Sequence, residues 1–366
     1  MHLNSIQYIR AIAALLVVFY HATMSVARME NSSTLIDIFG GYPGSIGVAA
    51  FFVISGYLMA DIAPKYTAST FLTHRVIRIY PAYLLCVTLA GFYFYFMWSV
   101  MMTDAGYIPN FKMMLLTSVD PLALLRLTLV PIQFSDYPLG IEWTLLYETT
   151  FYIAIFLVSL MGAVKYLLPL SLGWLLLIVG VITYYPNTQV GYTSPSLLTI
   201  PLFAINSAFI FGILGKHILR WVKPYPAFLL GALLLGTLSP FEHAYTMIQM
   251  CAGTAALVLG LISLDRDGRL LEVPLLRAVG GWSYVLYLIH VPVIIGLFKA
   301  LDGPPMVLVA VAVVGSILVS SLLGGLDVAS YRVLKRGTDR YAVTHKVIAK
   351  AFAVMFLVAG VAGLRL

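Results

Sequence analysis

The chain has 366 residues, of which 61% are hydrophobic and only 10% charged. Soluble domains carry about a quarter charged residues, so this composition excludes a soluble globular protein and specifies a polytopic membrane protein. The net charge of +7 must first be weighed against the gathering of basic residues on cytoplasmic loops, whatever the function.

The first apolar segment covers about residues 6–26 and carries Arg10 near its start and His21 near its end. Eleven positions correspond to about 1100° of helical rotation, so the two side chains share a face within roughly 20°, about 16 Å apart along the axis. Ionisable groups inside a membrane segment are costly and mark functional sites by default. The bland readings are that Arg10 is a flanking anchor and His21 a helix end. Ile12–Tyr20 behind Arg10, followed by Ser25–Val26–Ala27, also has the form of a signal peptide. A retained helix is the expected state, because it accounts for the shared face.

A Gly/Pro-rich stretch around Gly40–Gly44 leads to the second span, about 45–62, with Phe51–Phe52–Val53–Ile54–Ser55–Gly56 at its centre. Lys65 to Arg78 is read as the first cytoplasmic connection, opening a third span at about 79–98. Arg75 and Arg78 are i and i+3, neighbours on one helical face. Two guanidiniums held together suit bidentate recognition of phosphate, although such pairs also flank membranes without further role.

Residues 99–137 form the longest connection, expected on the non-cytoplasmic side. Met113–Val130 is apolar but interrupted by Asp120, Pro121 and Arg126, which predicts an interfacial or re-entrant piece. Its aromatics Tyr107, Phe111, Phe134 and Tyr137 suit either sugar stacking or an interfacial belt.

Further spans are expected at about 139–162, 166–184, 197–215, 226–239, 245–264, 278–298, 305–326 and 347–364. Within the first of these, Trp143–Thr144–Leu145–Leu146–Tyr147–Glu148 brings a carboxylate about two turns into the membrane, where it needs a partner. Glu142 is expected to be solvated at the interface. In the 278–298 segment, Ser283, Tyr287 and His290 lie along one stripe. Asp327, Arg332, Lys335 and Arg336 read as membrane-surface charges.

Cys86 and Cys251 sit in apolar runs and provide neither a disulfide framework nor metal-site spacing. No Walker loop, HExxH, GxSxG or dinucleotide fingerprint occurs. With the N-terminus cytoplasmic, seventeen of the 22 Lys and Arg residues fall on the cytoplasmic side, a strong orientation signal that absorbs most of the net charge. The charge therefore calls for no nucleic-acid partner. The expected fold is an all-α bundle of about 10–11 transmembrane helices forming one membrane domain over 1–366.

The arginines at the cytoplasmic face, with His and Glu deeper in, suit a channel that receives a phosphate-bearing donor and delivers a group to an acceptor. The Arg10–His21 distance matches an extended pantetheine arm, on the order of five residue lengths at ~3.4 Å each.

In these residues the sequence resembles the acyltransferase-3 family of integral membrane acyltransferases. The resemblance covers about residues 4–330 and rests on Arg10-x10-His21, Phe51–Gly56, Arg75-x-x-Arg78, Trp143–Thr144–Leu145-x-x-Glu148 and Ser283–Tyr284-x-x-Tyr287–Leu288-x-His290 in that order. The opening Asn4–Ala11 is most similar to the branch that acetylates exopolysaccharides. The resemblance implies acetyl-CoA or another acyl-CoA as donor, no metal, and a hydroxyl acceptor on an exported or lipid-linked sugar. It implies a location in the bacterial inner membrane.

It also implies roles for His21 as base and for Glu148, with Arg10, Arg75 and Arg78 binding the CoA. Tyr287, His290, Ser283 and Trp143 are candidates for orienting substrate or base. The additional segment at 347–364 resembles a helix that in some members leads to an extracytoplasmic domain. The rival expectation is a transporter or flippase of a lipid-linked saccharide, with His and Glu as a proton relay.

Overall fold

A computed structural model describes residues 4–29, 42–100, 126–132, 137–185, 189, 192–238 and 244–363. The expected interfacial piece at Met113–Val130 falls mostly outside the described residues, as do Tyr107, Phe111 and Phe134.

The described residues contain eleven α-helices: α1 Asn4–Met29, α2 Tyr42–Ile62, α3 Ala68–Val100, α4 Trp143–Leu160, α5 Leu167–Tyr184, α6 Asn206–Ile218, α7 Pro224–Gly236, α8 Ala244–Arg266, α9 Pro274–Ala300, α10 Pro305–Asp339 and α11 Ala342–Gly363. Each corresponds to one apolar segment read from the sequence, and the protein is an all-α polytopic membrane protein. Nine are long and apolar enough to cross a bilayer. The exceptions, α6 and α7, have 13 residues each, about 20 Å of helix against a hydrocarbon core of about 30 Å.

The approach to α6 makes up the missing length with irregular backbone whose polar groups find side-chain partners. The Trp174 indole donates to Pro201 O at 2.7 Å, and the Asn206 amide donates to Ile200 O at 2.7 Å. Gln189 accepts from Ala204 N and donates to Leu202 O. Non-helical backbone is tolerated in a membrane protein when it is satisfied inside the protein in this way.

Helix α1 is central, packed against α2 on one side and α9 on the other. Ala11, Ala14 and Val18 are fully buried against Leu286 and Val279, small residues that let helices approach closely. Helix α2 packs in turn on α6 and α8, while α3 packs on α4, α10 and α11. Helices α5, α10 and α11 bury little of their surface, and their exposed Leu and Val side chains suit contact with lipid.

Two boundaries differ from the sequence reading. The third span begins at Ala68, about eleven residues early, so Thr73–Arg78 are helical and not a connection. Helix α10 is 35 residues long and carries its charged C-terminal third well past the apolar part.

Candidate active site

Five helices converge on a cavity of about 140 Å³. Helix α1 contributes Arg10, and α3 contributes Arg75 and Arg78. Helix α4 contributes Thr144, Glu148 and Tyr152, spaced i, i+4 and i+8 and therefore on one face. Helix α9 contributes Tyr284 and Tyr287, while α2 supplies the apolar wall of Val48, Phe51, Phe52 and Leu58. Three guanidiniums thus line the space with a single carboxylate, a balance that favours an anionic ligand.

The partner that Glu148 requires is Tyr152, whose hydroxyl donates to Glu148 Oε1 one turn away. The Arg75 guanidinium lies over the Tyr152 ring at 5.9 Å. Arg75 Nε is buried with no hydrogen-bond partner. A buried guanidinium N–H left unmet is costly, and here it belongs to a side chain that lines the cavity.

Arg78 is held more firmly. Its Nη1 donates to Asp327 Oδ2 at 2.9 Å, and its guanidinium lies 5.2 and 5.6 Å from the Tyr284 and Tyr331 rings. Asp327 is 4% exposed, which corrects its reading as a surface charge. A carboxylate inside the run Ser320–Ser330 was itself the signal, since an intramembrane ion needs a partner. Glu142 is also corrected: it is fully buried, and its carboxylate accepts from Leu139 N at 2.8 Å and Ile141 N at 3.0 Å. It ties down the turn that starts α4, where Gly140 has a positive φ of 75°, open to glycine without strain.

His21 stands beyond the cavity and meets His290, with His290 Nε2 3.1 Å from His21 Nδ1. The tautomers follow from the neighbours. His290 Nδ1 lies 2.7 Å from Tyr287 O, and a carbonyl only accepts, so Nδ1 carries the proton. In neutral His290 the Nε2 lone pair is then free to accept. His21 Nδ1 also faces Val17 O at 3.0 Å, so it is the protonated nitrogen and is shared between the carbonyl and His290. The Nε2 of His21 keeps its lone pair.

Between the cavity and this histidine pair lies Tyr287. Its hydroxyl is 2.7 Å from Thr144 Oγ1. Phe51 meets its ring edge-on at 5.6 Å, and the His290 ring is 5.9 Å away. Tyr287, Thr144 and Phe51 therefore separate the arginine-lined space from His21.

Of the residues singled out in the sequence, Arg10, Arg75, Arg78, Glu148 and Tyr287 share the cavity, and His21 pairs with His290 beside it. Ser283 and Trp143 do not line it. The Ser283 hydroxyl is fully buried and donates to Gly280 O, and the Trp143 ring packs edge-on against Tyr147 and Tyr192. The sequence reading missed Tyr152 and Thr144, both one turn from Glu148 along its own stripe.

Comparison with known proteins identifies the family. Residues 3–325 match the acyltransferase-3 family, described as an acyltransferase domain. The chain is 30% identical over 330 residues to the exopolysaccharide production protein ExoZ of Rhizobium meliloti (strain 1021), covering 84% of this chain and 93% of that protein. It is 29% identical over 163 residues to nodulation protein 10 of Rhizobium leguminosarum bv. viciae, covering 42% and 43% of the two chains. No solved structure matches. With the family match running through every helix that builds the cavity, the chain belongs to the acyltransferase-3 family and is a multi-pass membrane acyltransferase.

Proposed function

We propose that this protein moves an acetyl group from acetyl-CoA to a hydroxyl of an exported or lipid-linked saccharide, with His21 as general base. The observation that carries the reading is the placement of Arg10, Arg75, Arg78 and Glu148 around one cavity directly behind a histidine pair with a free Nε2. A space of about 140 Å³ is comparable with a cavity that admits a benzene-sized molecule. The three guanidiniums that line it suit the phosphate end of an acyl donor, whose thioester would have to reach His21 past Tyr287, Thr144 and Phe51. The unmet Arg75 Nε–H is a donor waiting for such an anionic or carbonyl oxygen.

In the proposed reaction the acceptor hydroxyl gives its proton to His21 Nε2 as its oxygen attacks the thioester carbonyl. The new ester C–O bond forms, the C–S bond breaks, and the thiolate of CoA leaves. His290 is a positioning residue that holds His21 in the Nδ1–H tautomer. Glu148 braces Arg75 through Tyr152. An exopolysaccharide or its lipid-linked precursor is the proposed acceptor, because ExoZ, alike over most of both chains, is described by its role in exopolysaccharide production. The distribution of basic residues supports an orientation with the N-terminus in the cytoplasm.

Acetyl-CoA turnover by the purified protein tests this. His21→Ala is expected to lower turnover by about 10²–10⁴-fold, the usual contribution of a positioned base, while the protein stays monodisperse. Undiminished turnover in that variant removes His21 from the mechanism.

A further inference from the structure

A second cluster of ionisable side chains lies apart from the cavity, where α3, α10 and α11 meet. His74 stands near the start of α3, Asp339 is the last residue of α10, and His345 is in the first turn of α11. His74 and His345 are 4% and 7% exposed. His74 Nε2 is 2.8 Å from Asp339 Oδ1, and His345 Nε2 is 3.3 Å from the same oxygen. One ligand atom from each residue lies within 4.8 Å of the other two.

We propose that His74, Asp339 and His345 form a binding site for a divalent transition metal of the zinc class. Two imidazoles and a carboxylate are a common three-ligand set for zinc, with the fourth position left to water or another ligand. Bonds of about 2.0–2.2 Å in tetrahedral geometry place neighbouring ligand atoms about 3.4 Å apart. The His345–Asp339 side is already near that spacing at 3.3 Å, while the His74–Asp339 side, at 2.8 Å, would have to open.

Hydrogen bonding leaves His345 poorly accounted for. Its Nδ1 is buried without a partner, and 3.3 Å is long for a charge-assisted bond to a carboxylate, which runs at about 2.7–2.9 Å. A metal ion bound by His345 Nε2 would replace that long contact to Asp339 with a coordination bond; it would not serve Nδ1. Lys335 Nζ occupies the other carboxylate oxygen, Oδ2, at 2.6 Å, which orients Oδ1 toward the histidines as outer-shell partners do. Its charge also moderates the affinity. Thr73 Oγ1 donates to His345 O at 3.1 Å, so the backbones that present the two imidazoles are already joined.

Loading the site would clamp the end of α10 and the start of α11 to the first turns of α3, one residue before Arg75. The proposal does not depend on the acyl donor or on the role of His21.

Cobalt(II) is the probe, because it takes the same ligands and absorbs visible light. The full chain, stripped with a chelator and held in detergent, is expected to bind one Co²⁺ with a saturable visible absorption that Zn²⁺ abolishes. Zn²⁺ alone is expected to raise the thermal midpoint. In monodisperse His345→Gln and Asp339→Asn the apparent affinity is expected to fall at least about tenfold, the loss seen even for outer-shell partners. No Co²⁺ absorption by the monodisperse unsubstituted protein overturns the proposal, and so does an unchanged titration in both variants. The titration of the unsubstituted protein decides the matter even where a variant fails to fold.

Discussion

At the scale of single residues, buried charges and tautomers carry the argument. Arg78 and Asp327 form a pair whose side chains are 22% and 3% exposed. Removing one partner of such a pair strands the other, at a cost of about 3–5 kcal/mol when both are fully buried. Because Arg78 keeps some access, Asp327→Asn is expected to cost about 2–3 kcal/mol, read as a lower thermal midpoint. A double replacement, Arg78→Met with Asp327→Leu, is expected to cost less than Asp327→Asn alone. The histidine pair makes a different prediction. His290→Leu removes the acceptor for His21 Nδ1–H and is expected to lower kcat at least about tenfold with little change in KM for the donor. His290→Gln, which retains an accepting oxygen, is expected to recover part of that loss. Equal loss in both variants would make His290 a packing residue instead.

At the scale of elements, the glycines explain how short α6 enters the bundle. Gly56 of α2 faces the carbonyl of Phe209 in α6, and Gly212 of α6 faces the carbonyl of Val53 in α2. A Cβ at either position would overlap backbone, which cannot swing aside. Gly56 closes the Phe51–Gly56 motif, so its physical meaning is a close helix crossing of the kind small residues permit. Gly56→Ala and Gly212→Ala are each expected to destabilise by about 1–3 kcal/mol, the range for overpacking. Gly173→Ala and Gly180→Ala on the outward helix α5 have nothing within 4 Å and are expected to be neutral or mildly stabilising. Thermal unfolding in detergent separates the two pairs, and equal effects would refute the close-crossing account.

At the scale of the whole molecule, the tertiary contacts collect the basic connections at one end of the bundle. Lys216 pairs with Asp61 at 2.6 Å, Ser5 N donates to Asp265 Oδ2, and Arg266 donates to Leu219 O. The short turns at Ala63–Lys65 and Val164–Tyr166 also touch. Positive charge at one end predicts one orientation in the membrane. Cys86 and Cys251 are both fully buried, so introduced thiols report alone. Lys165→Cys is expected to react only with reagents on the cytoplasmic side and Tyr184→Cys only from outside; the opposite pattern would invert the topology. Composition and apolar length by themselves determined the helical class and the eleven segments, because a bilayer leaves a chain few ways to satisfy its backbone. Spacing along single helices likewise exposed Arg10 and His21, Arg75 and Arg78, and the Glu148 face. Tertiary structure decided what those groups meet: Arg78 with Asp327, 249 positions away, and His21 with His290, 269 away. It also buried Glu142 against its own turn and left Tyr287 standing between the cavity and the histidines. Partners so distant in the chain share no period that a sequence can display; only helix packing brings them together.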